Sequence, residues 1–193
     1  MHAFSLEVAV KAEPGMRVAV GALPVRDAFA PAEQAAARER LGLGASRFVA
    51  ALCTGSLAFG RLDRAVTAVL AARGEPPDRL RVLGWTDDMP GWITASDIVI
   101  GNAGGATGLE AMACGRPVIM FDPIAGHGRA NAELMASAGL ALLALSPAEL
   151  TTTIRRLAKD PAARTGQAVV GLADAAGRRR EDDLAELAAQ AGR

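Results

Sequence analysis

Short apolar runs alternate with longer stretches of helical periodicity along most of this chain. Ile98-Val99-Ile100 and Val118-Ile119-Met120-Phe121 are too short for helices and carry the β-branched and aromatic residues of buried strands. The same pattern predicts strands at Arg47–Cys53, Leu80–Leu83 and Leu140–Leu145. Between them lie predicted helices at Pro31–Leu41, Leu57–Arg73, Met89–Ala95, Leu109–Cys114 and Arg129–Ala138. Leu62, Ala65, Val66, Val69 and Leu70 share one face of the second. Ser146 and Glu149 form a capping box with Pro147 at the first helical position, predicting a helix to Lys159, and Asp160-Pro161 starts another. Near the N-terminus Leu6, Val8 and Val10 alternate with polar positions, and Met16–Val20 reads as a second short strand. Strands alternating with helices in this way predict an α/β domain, a doubly wound Rossmann-like parallel sheet.

Ligands of such sheets bind beyond the carboxyl ends of the strands. That rule selects Thr54–Ser56, Gly84–Asp88, Asn102–Thr107 and Asp122–Gly128 as one rim. The glycine-rich turn Gly101–Gly108 is the centre of it. Glycines admit a ligand close to the backbone, and a helix starting just after them directs free N–H groups and its positive dipole end at an anion. A phosphorylated ligand is the first expectation.

Composition narrows the class further. The 193 residues are 51% hydrophobic with a formal net charge of zero, which advertises no polyanionic partner. No run is long and apolar enough for a bilayer span, and the N-terminus lacks signal-peptide features, so a cytoplasmic location is expected. Cys53 and Cys114 lack metal-ligand spacing and read as buried free thiols. Asp87 and Asp88 suit a helix N-terminus better than a metal, and no metal site is expected. The exposed Arg178-Arg179-Arg180 run reads as a solvated face ahead of an amphipathic C-terminal helix marked by Leu184 and Leu187. The dinucleotide fingerprint Gly-x-Gly-x-x-Gly is missing after the first strand, which argues against a dinucleotide-binding Rossmann domain.

An ordered series of motifs then adds a resemblance. It consists of Gly21-x-x-Pro24-Val25-Arg26, Thr54-Gly55-Ser56, Gly84-Trp85-Thr86-Asp87-Asp88-Met89, Ala95-Ser96-Asp97, Gly104-Gly105-Ala106-Thr107-x-x-Glu110-Ala111-x-Ala113-x-Gly115-x-Pro117 and Asp122-Pro123-Ile124-x-Gly126. Together they resemble the C-terminal, donor-binding half of GT-B glycosyltransferases, most nearly the MurG and the monogalactosyl- and glucosyl-diacylglycerol synthase family. The resemblance covers roughly residues 16–165.

What it implies is a UDP-sugar donor site and an inverting transfer of a hexose or N-acetylhexosamine to a lipid or lipid-linked acceptor, with no cofactor and no metal. UDP would be held by Arg26, Gly55, Ser56, Trp85, Thr86, Gly105, Ala106, Thr107 and Glu110. Thr86 matches the uracil reader, Ala106 and Thr107 the diphosphate cradle, and Glu110 the acceptor of ribose hydroxyls. Glu110 also fits a Thr107-x-x-Glu110 capping box, and Arg26 also fits a plain surface arginine. His127, Gly128 and Asn131 match the loop that reads the donor sugar. That loop departs from the family, because Gly128 stands where an acidic or amide side chain is usual.

Residues 1–22 read as a lead-in segment from a missing N-terminal half, 23–177 as the donor-binding domain and 178–193 as the C-terminal helix. The resemblance places the acceptor site and the general base in that missing half or in a separate subunit, so no catalytic residue is expected in this chain. Membrane proximity would come through that partner. A donor-binding module without turnover, or a UDP-sugar hydrolase or epimerase on the same fold, is the alternative.

Overall fold

The computed structural model describes residues 2–3, 19–20, 25–54, 61–74, 76, 79–102 and 106–176. Strands β1 (His2–Ala3) and β2 (Ala19–Val20) pair in parallel as a small sheet of their own. The main sheet has four parallel strands in chain order, β3 (Ala50–Cys53), β4 (Ile98–Gly101), β5 (Val118–Phe121) and β6 (Leu142–Ala144). Its register sets Leu52 beside Ile100, Ile100 beside Ile119 and Ile119 beside Leu142.

Helices cover both faces, which is why β4 and β5 are continuously apolar instead of alternating. Val99, Val118 and Met120 face one layer with Ile93, Ala111 and Met112. Ile98, Ile100, Ile119 and Phe121 face the other, with Ala65, Ala68, Leu150, Ile154 and Leu157. The first layer contains α3 (Met89–Ala95), α4 (Ala106–Ala113), α5 (His127–Ser137) and α7 (Pro161–Ala176). The second contains α2 (Leu62–Arg73) and α6 (Pro147–Lys159), packed on each other. Helix α1 (Gln34–Arg40) packs on α3. The result is an α/β parallel sheet between two helix layers, as the strand–helix alternation predicts.

Helix ends follow local sequence closely. Three helices stop in the same Schellman motif: Leu43 N donates to Arg38 O at 2.8 Å, Arg116 N to Ala111 O at 2.8 Å and Leu140 N to Met135 O at 2.9 Å. In each case the residue before the donor is a glycine with positive φ, Gly42 at 66°, Gly115 at 67° and Gly139 at 72°. At α6, Ser146 Oγ accepts from Glu149 N at 3.2 Å, as the capping box requires. Asp88 caps α3 through Gly91 N at 3.1 Å, the helix-terminus role expected of it.

Several boundaries differ from expectation. The predicted strand Leu80–Leu83 pairs with no strand among the described residues: its segment is loop, and Val82 is 82% exposed. Arg81 lies across Trp92 at 5.7 Å and donates to Leu41 O at 2.8 Å, which holds the segment against α1 and α3 and away from the sheet. Strand β3 begins at Ala50, not Arg47, and β6 is confined to Leu142–Ala144. Helix α1 starts at Gln34, three residues after Pro31. Helix α2 begins at Leu62, while residues 57–60 of that predicted helix lie outside the described residues.

Helix α4 starts at Ala106, so Gly108 is a helical residue and not part of the turn. A Cβ at Gly108 would stand 3.0 Å from Met120 Cε, so this glycine serves the close approach of helix to sheet. Helix α5 starts at His127, two residues early, which makes His127 and Gly128 its first turn and not a loop. The predicted strand at 6–10, the arginine run and the helix at 178–193 lie outside the described residues.

Candidate functional site

The carboxyl ends of β3, β4 and β5 border a small, open cleft. Cys53, Thr54, Gly101, Asn102, Phe121 and Asp122 line its floor, and Arg61 approaches from the start of α2. Three of the four rim loops selected from sequence therefore meet here. The register brings them together: Cys53 pairs with Gly101, and Gly101 with Met120, so the three strands end level.

Glu110 stands in α4, next to this floor. Burial pushes its carboxyl above the ordinary 4.5, and the positive charge of Arg26 opposes that rise. The Glu110 carboxylate in turn adds to the burial that drives the Cys53 thiol up to about 11. Arg26, Glu110 and Cys53 thus form one electrostatic neighbourhood, although Arg26 and Glu110 are 84 positions apart (110 − 26). Arg26 is exposed and lies over the Phe29 ring at 5.1 Å, with Phe29 itself buried. That contact packs the arginine against a buried ring.

Thr107 occupies the second position of α4 and cannot act as its N-cap, so the Thr107-x-x-Glu110 capping box does not form. Glu110 is left without that local task. Ala106 and Thr107, exposed and half-buried, form the first turn, where backbone N–H groups have no helical acceptor. Gly55, Ser56 and Gly105 lie outside the described residues.

The Gly84–Asp88 loop is not part of the cleft lining. Trp85 is 84% exposed, and its Nε1 donates to Asp87 Oδ1 at 3.3 Å. Thr86 Oγ1 accepts from Asp88 N at 3.2 Å, which leaves the Thr86 backbone free of that side chain. His127, Gly128 and Asn131 share the first turn and a half of α5, entered through Gly126 at φ 82°. Asn131 Nδ2 lies 3.9 Å from Met135 Sδ.

Sequence reasoning missed the charged pair at the cleft mouth. Arg64 Nη1 donates to Asp122 Oδ2 at 3.0 Å, linking α2 to the end of β5. Arg61 engages Asp63 through two hydrogen bonds of 3.0 and 2.8 Å. The spacing of Arg61 and Arg64 on a helix that follows a strand was the available signal. Among the described residues no group of three His, Cys, Asp or Glu side chains is disposed to hold a metal, and no helix is long and apolar enough to cross a membrane. Both thiols are held above their ordinary values by burial, Cys114 included, which keeps them protonated and unreactive.

Comparison with known proteins gives the family and the fold. Residues 52–160 match the family model described as glycosyl transferases group 1. The chain is 31% identical over 90 residues to a processive diacylglycerol beta-glucosyltransferase of Bacillus subtilis, covering 47% of this chain and 24% of that protein. It is 37% identical over 139 residues to a Sorangium cellulosum UDP-N-acetylglucosamine–N-acetylmuramyl-(pentapeptide) pyrophosphoryl-undecaprenol N-acetylglucosamine transferase, covering 67% and 34% respectively. The chain spans about a quarter to a third of the length of these relatives. In fold it is similar to Anabaena HepE, solved in complex with UDP, with a TM-score of 0.67 at 20% identity over 90% of this chain and 57% of that one. The chain belongs to the group 1 glycosyltransferases and has the α/β fold found in their GT-B members.

Proposed function

We propose that this chain binds the UDP-sugar donor for an inverting glycosyltransferase acting on a lipid or lipid-linked acceptor. The observation that carries the reading is the first turn of α4, which follows the carboxyl end of β4, with Glu110 one turn further along the same helix and the charge of Arg26 acting on its carboxyl. A nucleoside diphosphate needs this combination. Glu110 accepts hydrogen bonds from the ribose hydroxyls, the N–H groups at Ala106 and Thr107 meet the diphosphate, and Arg26 offers a planar fork to its oxygens. Backbone at Thr86 reads the uracil. His127, Gly128 and Asn131, at the start of α5, face the donor sugar. The named activities of the relatives, glucosyl and N-acetylglucosaminyl transfer to lipid or lipid-linked acceptors, supply the substrate class.

The reaction is a direct displacement. The acceptor oxygen attacks the anomeric carbon from the side opposite the diphosphate, whose negative charge grows as the bond breaks. The α4 N-terminus and Arg26 stabilise that charge where it develops, so this reading needs no metal. The base that takes the acceptor proton, and the acceptor site, belong to a partner domain or subunit, which also brings the chain to the membrane surface.

Calorimetric titration of the chain with UDP, UDP-glucose, UDP-galactose and UDP-N-acetylglucosamine, with NAD as control, tests the reading. Saturable UDP binding without NAD binding is expected, unaffected by a chelator. Absent UDP binding refutes the donor site. Consumption of UDP-sugar without acceptor favours a hydrolase or epimerase instead.

A further inference from the structure

Asp122 is the only residue other than glycine with positive φ among the described residues, at 44°. Its strain is compounded by position. Pro123 follows it, and a residue before proline is restricted toward extended backbone. The fold nevertheless holds it there: Asp122 N donates to Ala144 O at 3.0 Å, and Arg64 grips Oδ2 at 3.0 Å. The carboxylate stays 31% exposed and lines the cleft at the end of β5. A part-exposed ion pair contributes little to stability. Aspartate is among the few residues other than glycine that enter left-handed backbone, and here that conformation, reinforced by Arg64, sets its carboxylate in the cleft lining, as strained backbone does at ligand-handling positions.

We propose that Asp122 positions the donor sugar. Its carboxylate, aimed by Arg64, accepts hydrogen bonds from hydroxyls of the hexose that the nucleotide carries. A carboxylate suits the task because its two oxygens accept several hydrogen bonds, and Arg64 engages one of them. Arg64 supports the interaction as a positioning residue, since its guanidinium fixes the rotamer that the strained backbone allows. The inference rests on the UDP-sugar reading above and assigns the sugar end of that ligand.

The test compares the full chain with its Asp122→Gly and Asp122→Asn variants, titrated with UDP and with the three UDP-hexoses. Asp122→Gly removes the carboxylate and relieves the left-handed strain, so its thermal midpoint is expected to rise. Its UDP affinity is expected to stay within about twofold of wild type, while its preference for a UDP-hexose over UDP falls about tenfold. Asp122→Asn tolerates the same backbone and is expected to give an intermediate loss of preference. Equal losses for UDP and UDP-hexose, or an unchanged preference, would overturn the sugar contact while leaving the nucleotide site standing. Failure of the wild-type chain to bind UDP would overturn both.

Discussion

Arg38 and Asp97 form an ion pair 2.7 Å long, and the same Asp97 oxygen accepts from Val49 N at 2.7 Å. Arg38 also donates to Ala95 O at 2.9 Å and Ala45 O at 2.7 Å, and its side chain is 8% exposed. This network joins α1, the approach to β3 and the approach to β4 at the amino-terminal end of the sheet, opposite the cleft. Removing Asp97 leaves a buried guanidinium without its counter-charge. Asp97→Ala is expected to destabilise the chain by about 3–5 kcal/mol, measured by urea unfolding. The fraction that remains folded is expected to keep wild-type UDP affinity, because the network lies away from the site.

Glu110 makes opposite demands on stability and binding. Its folded pKa is raised above 4.5, so its stabilising contribution is greatest below that value and is lost as pH rises through the folded pKa. Glu110→Gln is therefore expected to flatten the decline in stability over this window and to be the more stable protein at neutral pH. Binding runs the other way, since ribose hydroxyls need the ionised carboxylate. UDP affinity is expected to fall as pH drops through the raised value in wild type and to be weak and nearly pH-independent in Glu110→Gln. Thermal melts and calorimetry from below pH 4.5 up to neutral pH read both effects; a wild-type affinity flat over that whole range would remove Glu110 from the ribose.

Gly115 ends α4 at φ 67°, and a Cβ there would meet Leu172 Cδ1 of α7 at 3.0 Å. Gly115→Ala combines left-handed strain with a shifted helix contact and is expected to cost about 1–2 kcal/mol or slightly more. The loss should appear as a lower urea midpoint with unchanged slope. Gly42, also at positive φ but with open space around it, is expected to cost less on the same substitution, because strain acts there without the clash.

Cys53 lines the cleft, yet its thiol is driven to about 11. Alkylation by iodoacetamide at neutral pH is expected to be slow in the native chain and fast in urea, with Glu110→Gln lowering the thiol pKa by removing one of its two causes. A native rate equal to the denatured one would contradict the protonated, shielded thiol described above.

Much of this protein is legible along the chain because its causes are local. The apolar runs Ile98–Ile100 and Val118–Phe121 specify strands buried on both faces. The Ser146–Glu149 box starts α6, and glycines at 42, 115 and 139 end three helices through backbone conformations that other residues enter at a cost. The ordered motifs point to the glycosyltransferase family that residues 52–160 match. What sequence leaves undecided depends on distant partners. Leu80–Leu83 has the composition of a strand, but a strand exists only where a neighbour accepts its hydrogen bonds, and Arg81 is tied to Leu41 and Trp92 instead. Thr107-x-x-Glu110 has the spacing of a capping box, but the helix begins at Ala106, two residues too early for Thr107 to cap it. The Arg64–Asp122 pair joins a helix to the end of β5, and the charge of Arg26 reaches Glu110 from 84 positions away in the chain, so only the tertiary structure relates these separated charges.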